Sequence, residues 1–201
     1  ATVTSATEVV VRADADQSLA VFTGQLTSGA GTSGASFSRV AVDNNAAEDT
    51  VAAVGSNVNI GVGAGSVGRV DVIAVSRVGA NVRTLAPTIG GISTNTNFAY
   101  ADVTPEVRAR IGDGSNVRVS GDVVVRAHTD HDVEAKVESV TVGIGTAFGL
   151  SRARANSDAS VSASLGGTVS AASVDVAAGH NMDSATMRPI DAVVGGEVRS
   201  A

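Results

Sequence analysis

The stretch TEVVVRADAD (Thr7 to Asp16) returns almost unchanged as GDVVVRAHTD (Gly121 to Asp130), 114 positions later. Two further segments, VDVIA from Val70 and VDVAA from Val174, complete a set of four V-x-V-x-A phrases starting at 9, 70, 123 and 174. Their spacings are 61, 53 and 51 residues. Other features keep the same phase. A glycine-rich step and a short alternating strand precede the later phrases: VGSNVNIG (54–61), IGDGSNVRVSG (111–121) and LGGTVSAA (165–172). Midway between phrases lies a second glycine-rich zone, SGAGTSGASFS, APTIGGIS and GIGTAFGLS, followed by the strands SRVAVDN, NFAYADV and SRARANS. An ordered set of features repeated at this period is the mark of stacked structural units, each burying its apolar face against the next.

Composition says what kind of unit is stacked. The chain of 201 residues is 43% hydrophobic but only 2% aromatic, with four Phe, one Tyr and no Trp. Its interior must be built from Val and Ala, which suits a narrow core between closely spaced walls. Helix is disfavoured, because 23 glycines would each cost about 1 kcal/mol inside helices, and Val and Thr are stiff at χ1 and suit strands. Period-2 alternation pervades every unit. The expected fold is therefore all-β, a parallel β-solenoid (β-helix) with repeats of 51–61 residues; an antiparallel β-sandwich with hairpins at the glycine-rich zones is the alternative. Some six short strands per repeat suggest two coils of about 26 residues each, hence about eight coils and a rod about 35–40 Å long at ~4.8 Å per strand. In the third unit Val133, Ala135 and Val137 share one phase, and Val140, Val142 and Ile144 the other. Such a slip inverts every side chain, so a corner or bulge is expected near Glu138 and Ser139. Phe22, Phe37, Phe98, Tyr100 and Phe148 are too large for the bore and are expected at widened corners or on a face. Residues 1–201 read as a single segment that begins and stops mid-pattern, as a fragment of a longer repetitive chain would.

The pattern VRARIGDGSNVRVSGDVVVRA (Val107 to Ala127) resembles the repeats of giant bacterial surface and secreted proteins, the filamentous-haemagglutinin-like adhesins and leukotoxin-like repetitive exoproteins. The resemblance covers nearly the whole chain, and its motifs are structural. It implies a β-solenoid shaft, an extracellular or cell-surface location, and a role in adhesion, filament or matrix formation without catalysis. The implied partners are further repeats of the same chain or copies of it end to end. The alternative is a module that binds glycans or a host surface along one solenoid face.

The remaining sequence signals are weighed against that frame. Net charge is −6, and the 13 Arg and single Lys136 are dispersed, so the basic footprint that nucleic acid or an anionic membrane requires is missing. No apolar run is long enough to span a bilayer, and no membrane insertion is expected. Cysteine is absent, which removes disulfides and thiolate metal sites. The richest polar cluster is HTDHDVE, where His128, Asp130, Asp132 and Glu134 share a strand face and His131 lies opposite. Imidazole and carboxylates in a row are candidate metal ligands, with Ca²⁺ the preferred ion. The matching first copy keeps acids but no His, which favours a solvated corner. IGDGS (Ile111 to Ser115) resembles part of a calcium-binding nonapeptide, yet Asp-Gly is also the chemistry of a tight corner. GVGAGSVG (61–68) lacks the G-K-[ST] and following helix of a phosphate loop. No G-x-S-x-G frames a nucleophile, no dense carboxylate cluster of the kind polysaccharide-cleaving solenoids use is present, and no Thr-x-Thr array of an ice-binding face recurs.

Overall fold

A computed structural model describes residues 1–42, 50–63, 65–181 and 193–200. The described residues are all-β and every strand pairing is parallel. The chain is a parallel β-solenoid. The first coil holds β1 (Thr2–Val3), β2 (Ala6–Gly24), β3 (Thr27–Val42) and β4 (Thr50–Val54). The second holds β5 (Asn59–Ile60), β6 (Val67–Leu85), β7 (Thr88–Val103) and β8 (Glu106–Ile111). The third holds β9 (Asn116–Arg118), β10 (Asp122–Ser139), β11 (Thr141–Gly143), β12 (Ala147–Ser157) and β13 (Ser160–Leu165). The fourth holds β14 (Thr168–Ser170), β15 (Ser173–His180) and β16 (Val193–Ser200). Stacking yields four sheets: β1-β5-β9-β14, then β2-β6-β10 continued by β15 and β16, then β3-β7 continued by β11 and β12, and β4-β8-β13.

The repeat phrases sit directly on one another: Val9 pairs with Val70, Val70 with Val123, and Val123 with Val174. One repeat is thus one coil, not two. Four coils at ~4.8 Å make a stack about 19 Å high, while a 19-residue wall strand runs about 60 Å, so the molecule is a broad lath rather than a slender rod. The expectation of two coils per repeat fails because alternation continues unbroken through β2, β6 and β10. Polar residues such as Ser76 and Thr129 are buried within the long strands.

Two cores lie in series along the long second sheet. In the first, Val70, Val72, Ala74, Val123, Val125 and Ala127 pack against Ala52, Val107, Ala109 and Ile111 of the fourth sheet, with Ile60 and Val117 of the first sheet closing the end. In the second, Val78, Ala80, Val82, Val133, Ala135 and Val137 meet Val40, Ala99, Ala101 and Val103 of the third sheet. Small aliphatics fill both, as a bore about 10 Å wide demands.

Beyond the second core the polarity inverts. The interior of the arch joining the second and third sheets is lined by buried Thr84, Thr88, Ser93, Asn95 and Asn97. There Ser38 bonds Thr23 (2.6 Å) and Thr84 (2.9 Å), Ser36 donates to Asn97 (2.6 Å), and Asn95 donates to the Ala86 carbonyl (2.6 Å). The apolar residues face outward instead. The slip near Glu138 is real, since β10 ends at Ser139, but it does not re-bury the next run: Val140, Val142 and Ile144 face solvent, Ile144 at 99% exposure.

Repeat length changes at two places along the perimeter, one of them opposite the middle of β10. Val42 pairs with Val103, 61 positions on, while Thr50 pairs with Val107, 57 on. Thr129 pairs with His180, 51 on, whereas Asp132 pairs with Val193, 61 on. Most of the irregular stretch GHNMDSATMRPIDAVVGGEV falls on residues 182–192, outside the described residues.

Candidate functional site

β10 carries the polar cluster. Its inward positions are odd-numbered, so His128, Asp130, Asp132 and Glu134 point away from the bore and His131 points into it. The four outward groups form an extended row with a step of about 6.6 Å between neighbours. Among the described residues, no three or more His, Asp or Glu converge where a metal ion could sit. Register explains the acids differently: Arg77 stands between Asp16 and Asp130 in successive coils, and Glu134 accepts a hydrogen bond from Asn81 Nδ2 at 2.8 Å. The carboxylates are strung along the strand rather than gathered. His128 is buried, and its imidazole is pushed below its ordinary value by burial and by Arg77, against the pull of Asp130 and Asp14.

The inward His131 forms a node that the residue pattern did not single out. Its Nε2 lies 2.6 Å from Thr129 Oγ1 and its Nδ1 2.7 Å from Ser157 Oγ. Its backbone N–H donates to Asn181 Oδ1 (2.8 Å), and His180 meets the ring edge-on at 5.0 Å. Burial, then His180, hold the His131 imidazole down to about 4, so it is neutral at pH 7. Both ring partners are hydroxyls, which serve either tautomer. A Ser–His contact is the pairing of a nucleophile with its base. Here a threonine hydroxyl stands where a carboxylate would orient the ring, and His131 is only 2% exposed. The arrangement binds coils together: the same row reads Gln17 and Val78 in the first two coils. Only the register, not local sequence, reveals that a histidine has entered the inward row, directly on Val78.

The glycine-rich motifs are corners. In IGDGS, Gly114 adopts φ 71°, and buried Ser115 donates to the Gly55 carbonyl (3.1 Å) while accepting the Val58 N–H (3.3 Å). A shallow groove of about 230 Å³ runs over these stacked corners, past Arg110 and Asp113. GVGAGSVG leads into β6, not into a helix. At Gly61 (φ 68°) a Cβ would lie 1.8 Å from the Arg118 carbonyl oxygen, and at Gly65 one would lie 1.9 Å from that of Thr4. These glycines let coils touch.

The aromatics lie on outer faces, as their bulk requires. Phe22 projects from the second sheet, while Phe37, Phe98, Tyr100 and Phe148 share the outer face of the third. Phe37 stacks in register on Phe98, and Tyr100 lies 5.6 Å from the Phe37 ring and 6.1 Å from that of Phe98.

Fold and geometry together define a parallel β-solenoid without a gathered polar centre among its described residues. No protein-family model, curated protein or solved structure matches the chain.

Proposed function

We propose that this chain is a structural segment of a bacterial extracellular or cell-surface protein, a β-solenoid section of a shaft, filament or adhesin stalk that performs no catalysis. Its mechanism is mechanical. Backbone hydrogen bonds run along the stack axis, and dry Val/Ala rows hold successive coils together. The surface resemblance of the repeats to those of large adhesins supports the location.

One observation carries the reading. At two register positions the valines of the inner coils, Val70 with Val123 and Val72 with Val125, are fully buried, while their fourth-coil partners Val174 and Val176 are 49% and 43% exposed. In the first coil Val9, Val11 and Ala13 are only partly covered. Among the described residues the outermost strands of the stack carry no further pairing and their inward valines are part-covered, and such edges invite another strand. The partner is a further coil of the same kind, supplied by a longer chain or by a second copy.

Negative-stain images and light scattering at rising concentration test this. Stacks that lengthen with concentration, and that Val174→Lys with Val176→Lys abolishes, are the expected result. Uniform single stacks at every concentration would remove the end-to-end version.

A further inference from the structure

The arch between the second and third sheets differs from the rest of the molecule in charge. Positions 17–38, 84–101 and 139–151 contain none of the 14 basic and 20 acidic residues of the chain. These windows fall at the same place in three successive coils, in register through Thr27, Thr88 and Thr141. Their interior is polar and partly hydrogen-bonded, with Gln25 Oε1, Asn95 Oδ1 and Asn97 Nδ2 buried and unsatisfied, and large apolar side chains face outward. A soluble chain gains nothing from that inversion unless the outer face is covered.

We propose that the outer face of the third sheet is a docking surface for a second copy of this chain. Ile92, Phe148, Leu150, Phe37, Phe98 and Tyr100 all project from it, and Ile92, Phe148, Leu150 and Phe37 are each at least 60% exposed. It holds four of the five aromatics of the sequence. Arg39, Arg152 and Arg154 edge it, with Arg152 beside Phe98 and Arg39 and Arg154 flanking Tyr100. Aromatic centres with arginine at the margin are the composition of protein interfaces.

Charge selects the occupant. Two copies of a protein with net charge −6 repel one another, but the patch from Ile92 to Tyr100 brings no carboxylate to the contact, and Asp102 at its margin is paired with Arg39 at 3.4 Å. Hydrocarbon is a poorer fit: among the described residues β3 on one side and β11 with β12 on the other leave strand edges unpaired, and unpaired backbone groups are not tolerated in a bilayer core. Two such faces pack like the halves of a β-sandwich, about 10 Å apart. The contact maps each face onto its equivalent, so it closes at two. From Ile92 to Tyr100 across three strands the patch covers only about 26 Å by 14 Å, small for a stable dimer. Association of single segments is accordingly weak, in the micromolar to sub-millimolar range, and multiplies when coils are joined. The contact does not depend on end-to-end stacking: stacking grows open chains, whereas this face makes pairs.

Sedimentation equilibrium of the full chain over a wide concentration range tests it, with the Val174→Lys, Val176→Lys variant as background so that end stacking does not intrude. A monomer–dimer equilibrium is expected, insensitive to or strengthened by sodium chloride. Ile92→Asp and Phe148→Asp should each weaken it by about tenfold or more, as loss of a central apolar anchor does. Ile92→Ser and Phe148→Ser, with unchanged circular dichroism, guard against misfolding. A strict monomer, or a dimer indifferent to these substitutions, overturns the proposal. So does a monomer that binds zwitterionic vesicles or an arrayed glycan through the same residues, because the face would then belong to lipid or carbohydrate.

Discussion

Single residues decide how closely coils approach and how the interior responds to acid. Gly61 combines a positive φ of 68° with a carbonyl oxygen where its Cβ would stand, whereas a Cβ at Gly31 would meet nothing within 4 Å. Gly61→Ala should therefore cost about 2 kcal/mol or more, and Gly31→Ala should stay within about 0.5 kcal/mol, by urea denaturation. His131 gives the pH dependence. Unfolded, it takes up a proton near its ordinary value of 6.5; folded, only at about 4. Between those values the unfolded chain binds more protons, so falling pH favours unfolding. Stability is full above pH 6.5, declines as pH drops through the window, and loses about 3 kcal/mol at most from this group by pH 4. The lowered His128 acts in the same direction. His131→Gln, which retains a donor and an acceptor, should flatten urea midpoints measured across that range. Neither His131 nor the docking face was legible locally: a histidine between Thr129 and Val133 looks like part of a polar edge until the register places it on Val78.

At the scale of strands, the alternating pattern disclosed the elements and hid their meaning in one place. The V-x-V-x-A phrases gave the pairing of Val9, Val70, Val123 and Val174 directly, because inward positions repeat wherever an apolar bore does. In the arch the same alternation runs with apolar residues outside and hydroxyls and amides inside, and hydropathy alone then points the strand the wrong way. A pair of substitutions tests the inversion. Thr84→Val keeps the shape but removes the hydroxyl that partners Ser38, and should cost about 1–3 kcal/mol despite adding apolar surface to the interior. Ile92→Thr, outside, should change stability by less than about 0.5 kcal/mol. If Thr84→Val stabilises the protein, the polar lining is incidental.

For the molecule as a whole, stability is a sum over coils and the contacts between them. Removing residues 70–122 would join Arg69 to Val123 and set Val9 directly on Val123, preserving the register of the second sheet. The three-coil chain should fold, with its urea m-value and unfolding heat capacity reduced by about a quarter, in proportion to the surface lost; a molten or aggregated product would show that the coils are not interchangeable. Some six short strands per repeat suggest twice as many coils, whereas the wall strands are single runs of up to 19 residues. The cross-section, by contrast, tolerates variable repeat length. Between Thr129 and Asp132 of the third coil, the partner strand advances from His180 to Val193 without losing alignment on either side. The flanking strands both stay aligned on β10, so the perimeter offers a splice point where foreign loops, tags or epitopes could be displayed at one height along the stack.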